Sequence, residues 1–222
     1  MYEQVSHSLL NRILDDVKPD IRKRDLRHFY TRLGANFYAI YSLFQMLYGK
    51  RDDFEEQMRR AVEVMTLNYI QRRKGLKKRD RARENDHNWF LSQELVAMAL
   101  YTNAFAGDLT GLNERLGYLQ ELGANVLHVM PILKCPPGAS DGGYAVSDYR
   151  DVDERVGNLE DLEQLVRNLH RREMHLTLDV VVNHVSDQHE WVQKARAGEK
   201  KYQDYFYIFD NRDVPDMFEE TL

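Results

Sequence analysis

The stretch from His175 to His184 limits the possible folds most strongly, because it reads HLTLDVVVNH and is almost continuously apolar. Such a run is typical of a strand covered on both faces, as in a parallel sheet flanked by helices. It contains one carboxylate, Asp179, and ends in Asn183 and His184. Polar groups at the end of a buried strand are typical of an α/β active-site rim, although a core strand with a polar exit explains them equally well.

Length and composition restrict the class of protein. The 222 residues suffice for one large domain or two small ones, and 43% hydrophobic with 30% charged residues predicts a soluble globular chain. The net charge of -5 argues against nucleic acid as the main partner, and the single cysteine excludes an internal disulfide and a cysteine zinc cluster. With no signal peptide evident and no apolar run near the ~20 residues of a membrane span, we expect a cytoplasmic protein without membrane contact.

The N-terminal third has helical periodicity from Val5 to about Ile70, and nothing in it alternates like a strand. The predicted boundaries are Pro19 at the end of the first helix, Asp20 and Gly34 around the second, Asn36 and Gly49 around the third, and Asp52 before the fourth. Apolar and aromatic residues recur on one face of each helix, which indicates a core. We therefore predict an all-helical domain over residues 1–88.

A basic cluster from Arg72 to Arg83 follows the last of these helices. Such a cluster can bind phosphates or nucleic acid, but no aromatic residues are interleaved with it to stack bases. The alternative is a solvated turn between two domains, with counter-charges from Asp80, Glu84 and Asp86. We adopt the solvated turn and take it as the domain boundary.

Strand and helix patterns alternate after Trp89. Strands are predicted at 96–102, 125–129 and 175–184, and helices begin after Asp108 or Thr110 and after Asn158. This order is typical of βαβ units with a parallel sheet. The segment from Ser186 onward is polar and aromatic instead of helical, which indicates a subdomain inserted into the ligand-facing loops. The predicted domains are therefore residues 89–185 for the sheet and 186–222 for the start of the insertion.

The loops after the predicted strands hold the candidate functional residues. Asp141 and Tyr144 flank two glycines, and a carboxylate beside an exposed aromatic ring suits sugar recognition, although a surface turn gives the same pattern. His184 could donate to a ligand, bind metal or be structural; metal is the weakest choice because no second His or Cys lies at ligand spacing on the strand. Asn183 and Asp187 could supply oxygens to calcium, but two ligands are too few for a site. His189 and Glu190 are interpreted as solvated loop residues.

Three segments in this order resemble the opening half of the barrel of the α-amylase superfamily of glycoside hydrolases. Their sequences are GDLTGLNERLGYLQELGANVLHVMPI, DGGYAVSDYRDVD and DVVVNH. The stretch LKCPPGASDGGYAVSDYRDV and the preceding helices are similar to those of the amylosucrase and sucrose hydrolase branch. The resemblance implies an α/β fold: an all-helical N-terminal domain, then the first three βα units of a (β/α)8 TIM barrel and the start of an inserted loop subdomain.

The resemblance also implies roles for three residues in a glucosyl-binding subsite. Tyr144 would stack under the glucosyl ring, and Asp141 would pair with an arginine supplied later in the barrel. His184 would hydrogen-bond a glucosyl hydroxyl and help stabilise the transition state. No metal and no cofactor is expected, because amylosucrase-like members are not generally calcium-dependent.

No catalytic residue is expected within the chain, because the family's nucleophile and acid/base would fall beyond Leu222. We therefore expect part of a longer enzyme, or a truncated one, that is inactive alone. The implied activity is cleavage of sucrose and transfer of glucose to an α-glucan acceptor by a retaining glucosyltransferase. The alternatives are a sucrose hydrolase or another glycosidase of the superfamily, a non-catalytic binding protein with the same fold, and a nucleic-acid binder that uses the basic cluster.

Overall fold

The computed structural model describes residues 2–16, 23–86 and 88–219. The chain divides into two compact units, the helical unit (Met1–Trp89) and the sheet unit (Phe90–Leu222). No helix among the described residues is both long and apolar enough to cross a membrane. The predicted boundaries at Pro19 and Asp20 lie outside the described residues, and the division of the sheet unit at residue 186 stays a prediction.

The helical unit contains α1 (Tyr2–Asp16), α2 (Lys23–Tyr48), α3 (Phe54–Gln71) and α4 (Lys74–Asn85). Its core forms where one face of each of the first three helices meets the others, as the apolar spacing predicts. The buried members of this core are Leu9, Leu10, Ile13, Leu33, Phe37, Tyr41, Met58 and Val62.

Two predictions for this unit are wrong. Helix α2 continues through Gly34, because Leu33 and Phe37 on either side are buried in the same core and their packing outweighs the weak helix propensity of glycine. The basic cluster is also not a turn, since most of it forms α4, which has no buried residue. Its proposed counter-charge is present, because Arg72 donates two hydrogen bonds to Asp80, at 2.6 and 2.8 Å.

Two glycines of the helical unit should respond oppositely to alanine. A Cβ at Gly34 meets nothing within 4 Å, so Gly34→Ala should stabilise the unit by about 0.5–1 kcal/mol through helix propensity. A Cβ at Gly49 would lie 2.4 Å from the Gln45 carbonyl oxygen, so Gly49→Ala should destabilise it. Urea unfolding followed by Trp89 fluorescence in a Trp191→Phe background measures both. Equal shifts of the urea midpoints of Gly34→Ala and Gly49→Ala would contradict the continuation of α2 through Gly34.

The sheet unit is built on three parallel strands in the order β1 (Ala97–Leu100), β2 (Val126–Val129) and, last in the chain, β5 (His175–Leu178). Between β2 and β5, a short antiparallel hairpin pairs β3 (Leu133–Lys134) with β4 (Asp148–Val152). The remaining elements are helices: α5 (Thr102–Ala106), α6 (Leu109–Glu114), α7 (Leu116–Glu121), α8 (Leu159–Arg171), α9 (Glu190–Arg196), α10 (Lys200–Gln203) and α11 (Asp213–Glu219). The last three lie after Ser186, so the prediction that this segment is not helical is wrong.

One face of the sheet packs against helices. Leu127 and Val129 of β2 are fully buried in a core that includes leucines of α6, α7 and α8. Asn158 caps the N-terminus of helix α8, as predicted, with reciprocal hydrogen bonds between Asn158 and Asp161. The other face of the sheet carries the exposed side chains of Ala99 and Thr177. Of the predicted strand 175–184, only His175–Leu178 forms a strand.

The apolar run after β5 is irregular and largely exposed. Strand β5 ends at Leu178, and Val180 and Val182 are 64% and 86% exposed, whereas Val181 between them is buried. Helix α8 covers only one face of β5, and among the described residues no fourth strand pairs beyond it. The sequence predicts a strand buried on both faces here, because the apolar composition of the run suits that environment. The polar end of the run, with Asn183 and His184, consequently lies in a loop.

Candidate functional site

The carboxyl ends of the three parallel strands form one edge, and the loops that follow them carry the candidate residues. Tyr101 directly follows β1, and Asp179 directly follows β5. His128 lies within β2, where it is in register with Ala99 and Thr177 on the face away from the helices. Because side chains alternate along a strand, Asp179 projects on the same face as Thr177 and His128.

The predicted Asp141–Tyr144 segment forms a tight turn between β3 and β4. Asp141, Gly142 and Gly143 all have positive φ, of 47°, 67° and 101°. A Cβ at Gly143 would lie 2.9 Å from the Pro131 carbonyl oxygen, so the close approach to the end of β2 requires glycine. The turn leaves the Asp141 side chain exposed and Tyr144 half-buried, as a rim carboxylate and a rim ring should be.

A three-residue network fixes the Tyr144 hydroxyl. Tyr144 donates to Asp179 Oδ2 at 3.0 Å, and His128 Nε2 lies 2.7 Å from Asp179 Oδ1. The hydrogen bond from His128, reinforced by that from Tyr144, holds the pKa of the Asp179 carboxyl below its usual range although partial burial opposes it. Burial, the Asp179 carboxylate and a hydrogen bond with Tyr101 raise the pKa of Tyr144. Asp179 is thus a fixed carboxylate, and Tyr144 is a neutral phenol.

His184 lies in the loop that follows β5, and Tyr149 of β4 holds that loop from one side. The Tyr149 hydroxyl donates to the Val181 carbonyl and lies 3.4 Å from the His184 carbonyl oxygen. Ser186 N also donates to the Val146 carbonyl, at 2.9 Å. The His184 side chain is exposed, and no hydrogen bond within the described part of the chain joins it to Asp141 or Tyr144. Both it and the Asp141 carboxylate are consequently available to a ligand.

A buried carboxylate supports the start of the turn. Asp153, 5% exposed, accepts from Cys135 N and from the Arg155 side chain, and Arg155 also donates to Ser140 Oγ at 3.1 Å. These bonds from Arg155 and Cys135 keep the pKa of Asp153 below its usual range despite its burial. The loop that leads to Asp141 is thereby joined to the end of β4.

A comparison with protein families decides the identification. The family described as alpha amylase, catalytic domain, matches residues 54–221, which is most of the chain. The chain belongs to this family. Fold and family together confirm the predicted fold class, which is helices followed by the first strands of a TIM barrel. They also confirm the resemblance to the α-amylase superfamily. The amylosucrase branch is not distinguished by these comparisons.

Relatives of this alpha-amylase-family chain include several glucosidases. It is 36% identical over 122 residues to an oligo-1,6-glucosidase of Bacillus cereus, which covers 51% of this chain and 22% of that protein. It is 41% identical over 117 residues to an alpha-glucosidase of Schizosaccharomyces pombe, covering 50% of this chain and 20% of that protein. The chain therefore spans about a fifth of the length of these relatives.

A similar solved structure is an isomaltulose synthase mutant from Erwinia rhapontici in complex with D-glucose. It has a TM-score of 0.51 and 32% identity, and the match covers 55% of this chain and 23% of that one. An inactive double mutant of MutB matches with a TM-score of 0.50 and 38% identity, over 54% of this chain and 23% of that one. About half of the chain thus matches part of two larger solved structures.

His128 and Tyr101 are not among the predicted site residues, and Asp179 has no predicted role. A histidine in the otherwise apolar strand VLHV was a usable signal, because a polar side chain in a partly covered strand requires a partner. The partner, Asp179, is 51 residues away in sequence, so only the parallel pairing of β2 with β5 reveals it. Within the described ranges, no group of three or more His, Cys, Asp or Glu side chains is arranged to hold a metal ion.

The interpretation of His189 as a solvated loop residue is wrong. It is 5% exposed, its Nδ1 accepts from Trp191 N at 3.0 Å at the start of α9, and its ring packs against Tyr149 and Trp191. The aromatic residues that follow Ser186 supplied a local apolar environment that the polar composition of the loop concealed. His189 is therefore a neutral helix cap beside the His184 loop.

His189 should make the stability of the sheet unit depend on pH. Burial lowers its pKa in the folded state, opposed by Asp148 and Glu190, so its stabilising effect is complete above about pH 6.5, the value of an unfolded histidine, and is lost as pH falls. His189→Asn keeps a capping oxygen without a titrating ring. Between pH 7 and 5 the free energy of unfolding, followed by Trp191 fluorescence in a Trp89→Phe background, should fall less for His189→Asn than for the parent. Parallel pH profiles would contradict the neutral buried cap.

Proposed function

We propose that the protein carrying this chain is a retaining glucosyltransferase of the amylosucrase type. It cleaves sucrose, holds glucose as a covalent glucosyl-enzyme and transfers it to an α-glucan. The observation that carries the proposal is the Asp141–Tyr144 turn at the carboxyl edge of the sheet, where the Tyr144 ring is fixed by Asp179. The relation to an isomaltulose synthase solved with D-glucose supports a glucosyl ligand at this edge.

Each proposed substrate-binding residue has a physical role that its environment permits. The half-buried Tyr144 ring, with its hydroxyl engaged, offers its face to the apolar side of a glucosyl ring. The exposed Asp141 carboxylate accepts hydrogen bonds from hydroxyl groups or pairs with an arginine. The exposed His184 imidazole hydrogen-bonds a hydroxyl group, and Tyr149 fixes the backbone from which it projects.

The proposal places the catalytic nucleophile and acid/base beyond Leu222. Retaining chemistry uses two carboxyl groups about 5–5.5 Å apart, one ionised and one protonated. Asp179 does not suit the acid role, because its pKa is lowered and both of its oxygens are engaged. We therefore propose no catalytic residue within residues 1–222 and no cofactor, and we expect the 222-residue chain alone to be inactive.

Two alternative functions are also proposed. The relatives named oligo-1,6-glucosidase and alpha-glucosidase favour a hydrolase of sucrose or of another α-glucoside. A binding protein without activity would use the same rim, since the rim residues bind and do not cleave.

A cytoplasmic location and the absence of nucleic-acid and membrane partners belong to the proposal as well.

The test is incubation of the protein carrying this chain with sucrose, and separately with maltose, isomaltose and isomaltulose. Fructose release with formation of α-glucan supports the transferase. Fructose with equimolar free glucose shifts the assignment to sucrose hydrolase, and turnover of the other disaccharides alone shifts it to another glycosidase. No turnover of any substrate overturns the enzymatic proposal. Activity of a purified 222-residue chain, verified by mass, would overturn the location of the catalytic residues.

A further inference from the structure

His128 occupies an unusual place for a polar side chain. It lies in the central strand of the sheet, between Ala99 and Thr177 in register, on the face opposite the leucine core. Because both neighbours are small, the imidazole can extend along the sheet to the residue that follows β5. It reaches Asp179, with Nε2 at 2.7 Å from Oδ1.

Asp179 joins His128 to Tyr144. Its two oxygens accept from different segments of the chain, Oδ1 from the strand β2 and Oδ2 from the turn after β3. The Asp179 side chain is 24% exposed and follows the end of its strand, so without His128 nothing in the sheet ladder would fix its rotamer. Tyr144 in turn extends from a turn of three successive positive-φ residues, and its hydroxyl is anchored by Asp179.

We infer that His128 is a positioning residue for the sugar-stacking ring of Tyr144 and acts through Asp179. His128 itself contacts no ligand; it fixes the carboxylate that fixes the phenol. Removing the His128 donor frees Asp179 to turn toward solvent, and the Tyr144 hydroxyl then loses its hydrogen bond to that carboxylate and keeps the one with Tyr101. The effect on a sugar rests on the proposed function, whereas the link from His128 to Tyr144 does not.

The first measurement needs no sugar. In the chain labelled with ¹³Cζ-tyrosine, the Tyr144 resonance among the thirteen tyrosines is identified by its loss in Tyr144→Phe. Its pKa, raised in the parent by burial and by Asp179, should fall toward the usual value in His128→Ala and in Asp179→Asn. His128→Gln, which keeps a nitrogen donor at similar reach, should retain the parent value. Asp148→Asn is the matched control, because that carboxylate accepts from Arg150 N and not from a tyrosine.

The second measurement uses D-glucose as the probe in the same samples. The dissociation constant should rise about tenfold in His128→Ala, the size expected for one lost charge-assisted hydrogen bond, and less than about threefold in His128→Gln. In a Tyr144→Phe background His128→Ala should add less than about twofold, because the path through the hydroxyl is already cut. Equal unfolding midpoints of the variants show that binding and not folding has changed.

The outcomes separate the two proposals. An unchanged Tyr144 titration in His128→Ala overturns the positioning role, whatever the sugar result. Additive effects of His128→Ala and Tyr144→Phe on glucose affinity would also overturn it, because His128 would then act independently of Tyr144. If the parent binds no glucose while the Tyr144 titration responds as expected, the positioning role stands and the glucosyl site proposed for this edge fails.

Discussion

Gly143→Ala is expected to destabilise the sheet unit by about 3 kcal/mol, the sum of a left-handed residue with a Cβ and a steric overlap. The φ of Gly143 is 101°, and its Cβ would lie 2.9 Å from the Pro131 carbonyl oxygen and 3.0 Å from Pro131 Cβ. Both contacts are with the segment that ends β2, which cannot move without disturbing the sheet. The measurement is urea unfolding, with Trp191 as the probe in a Trp89→Phe background.

Gly138→Ala is the matched control for Gly143→Ala. Gly138 also has a positive φ, 73°, but a Cβ there meets nothing within 4 Å. It should cost only about 1–2 kcal/mol, the conformational part of the effect. Gly143→Ala should in addition displace the Tyr144 ring and weaken glucose binding, and Gly138→Ala should not. Equal losses of stability in the two variants would contradict the close packing of the turn against Pro131.

Leu127→Ala should have the second large effect, a loss of about 2–5 kcal/mol in the free energy of unfolding of the sheet unit. Leu127 is fully buried at the centre of the core between β2 and the leucines of α6, α7 and α8. Truncation removes its apolar contacts and leaves a cavity that the surrounding helices fill only in part.

Val182→Ala is the control for Leu127→Ala. Val182 belongs to the apolar run that predicted a buried strand, but it is 86% exposed, so its truncation should change stability by less than about 0.5 kcal/mol. The same urea titration measures both variants. A loss of more than about 1 kcal/mol for Val182→Ala would show that the run is buried in solution and that the sequence-based prediction of its burial was right.

Local patterns were sufficient where the physics is local. Asn158 caps helix α8 as predicted, because a cap depends on residues within one turn of the chain. The Asp141–Tyr144 turn could likewise be located from its paired glycines, since positive φ is a property of the residue itself. The order of strands and helices predicted the parallel sheet, because hydrophobic periodicity records which face of each element is covered.

Predictions failed where packing outweighs local propensity. Glycine alone indicated the end of a helix at Gly34, but the buried side chains around it carry α2 through that position. Composition indicated a solvated loop at His189, but aromatic residues from β4 and α9 enclose it. In both cases some of the deciding contacts come from other elements of the fold, such as Tyr149 of β4 beside His189, which a single window of sequence does not contain.

The sequence by itself determined the family motifs, the parallel βα order and the rim candidates Asp141, Tyr144 and His184, because each is set by residue type and short spacing. Only the tertiary structure decided that His128, Asp179 and Tyr144 form one network, and that Val180 and Val182 after Leu178 are exposed while Val181 is buried. Hydrogen bonds between distant segments depend on strand register, and burial depends on which element covers a face. Neither strand register nor burial is a property of the individual residues alone.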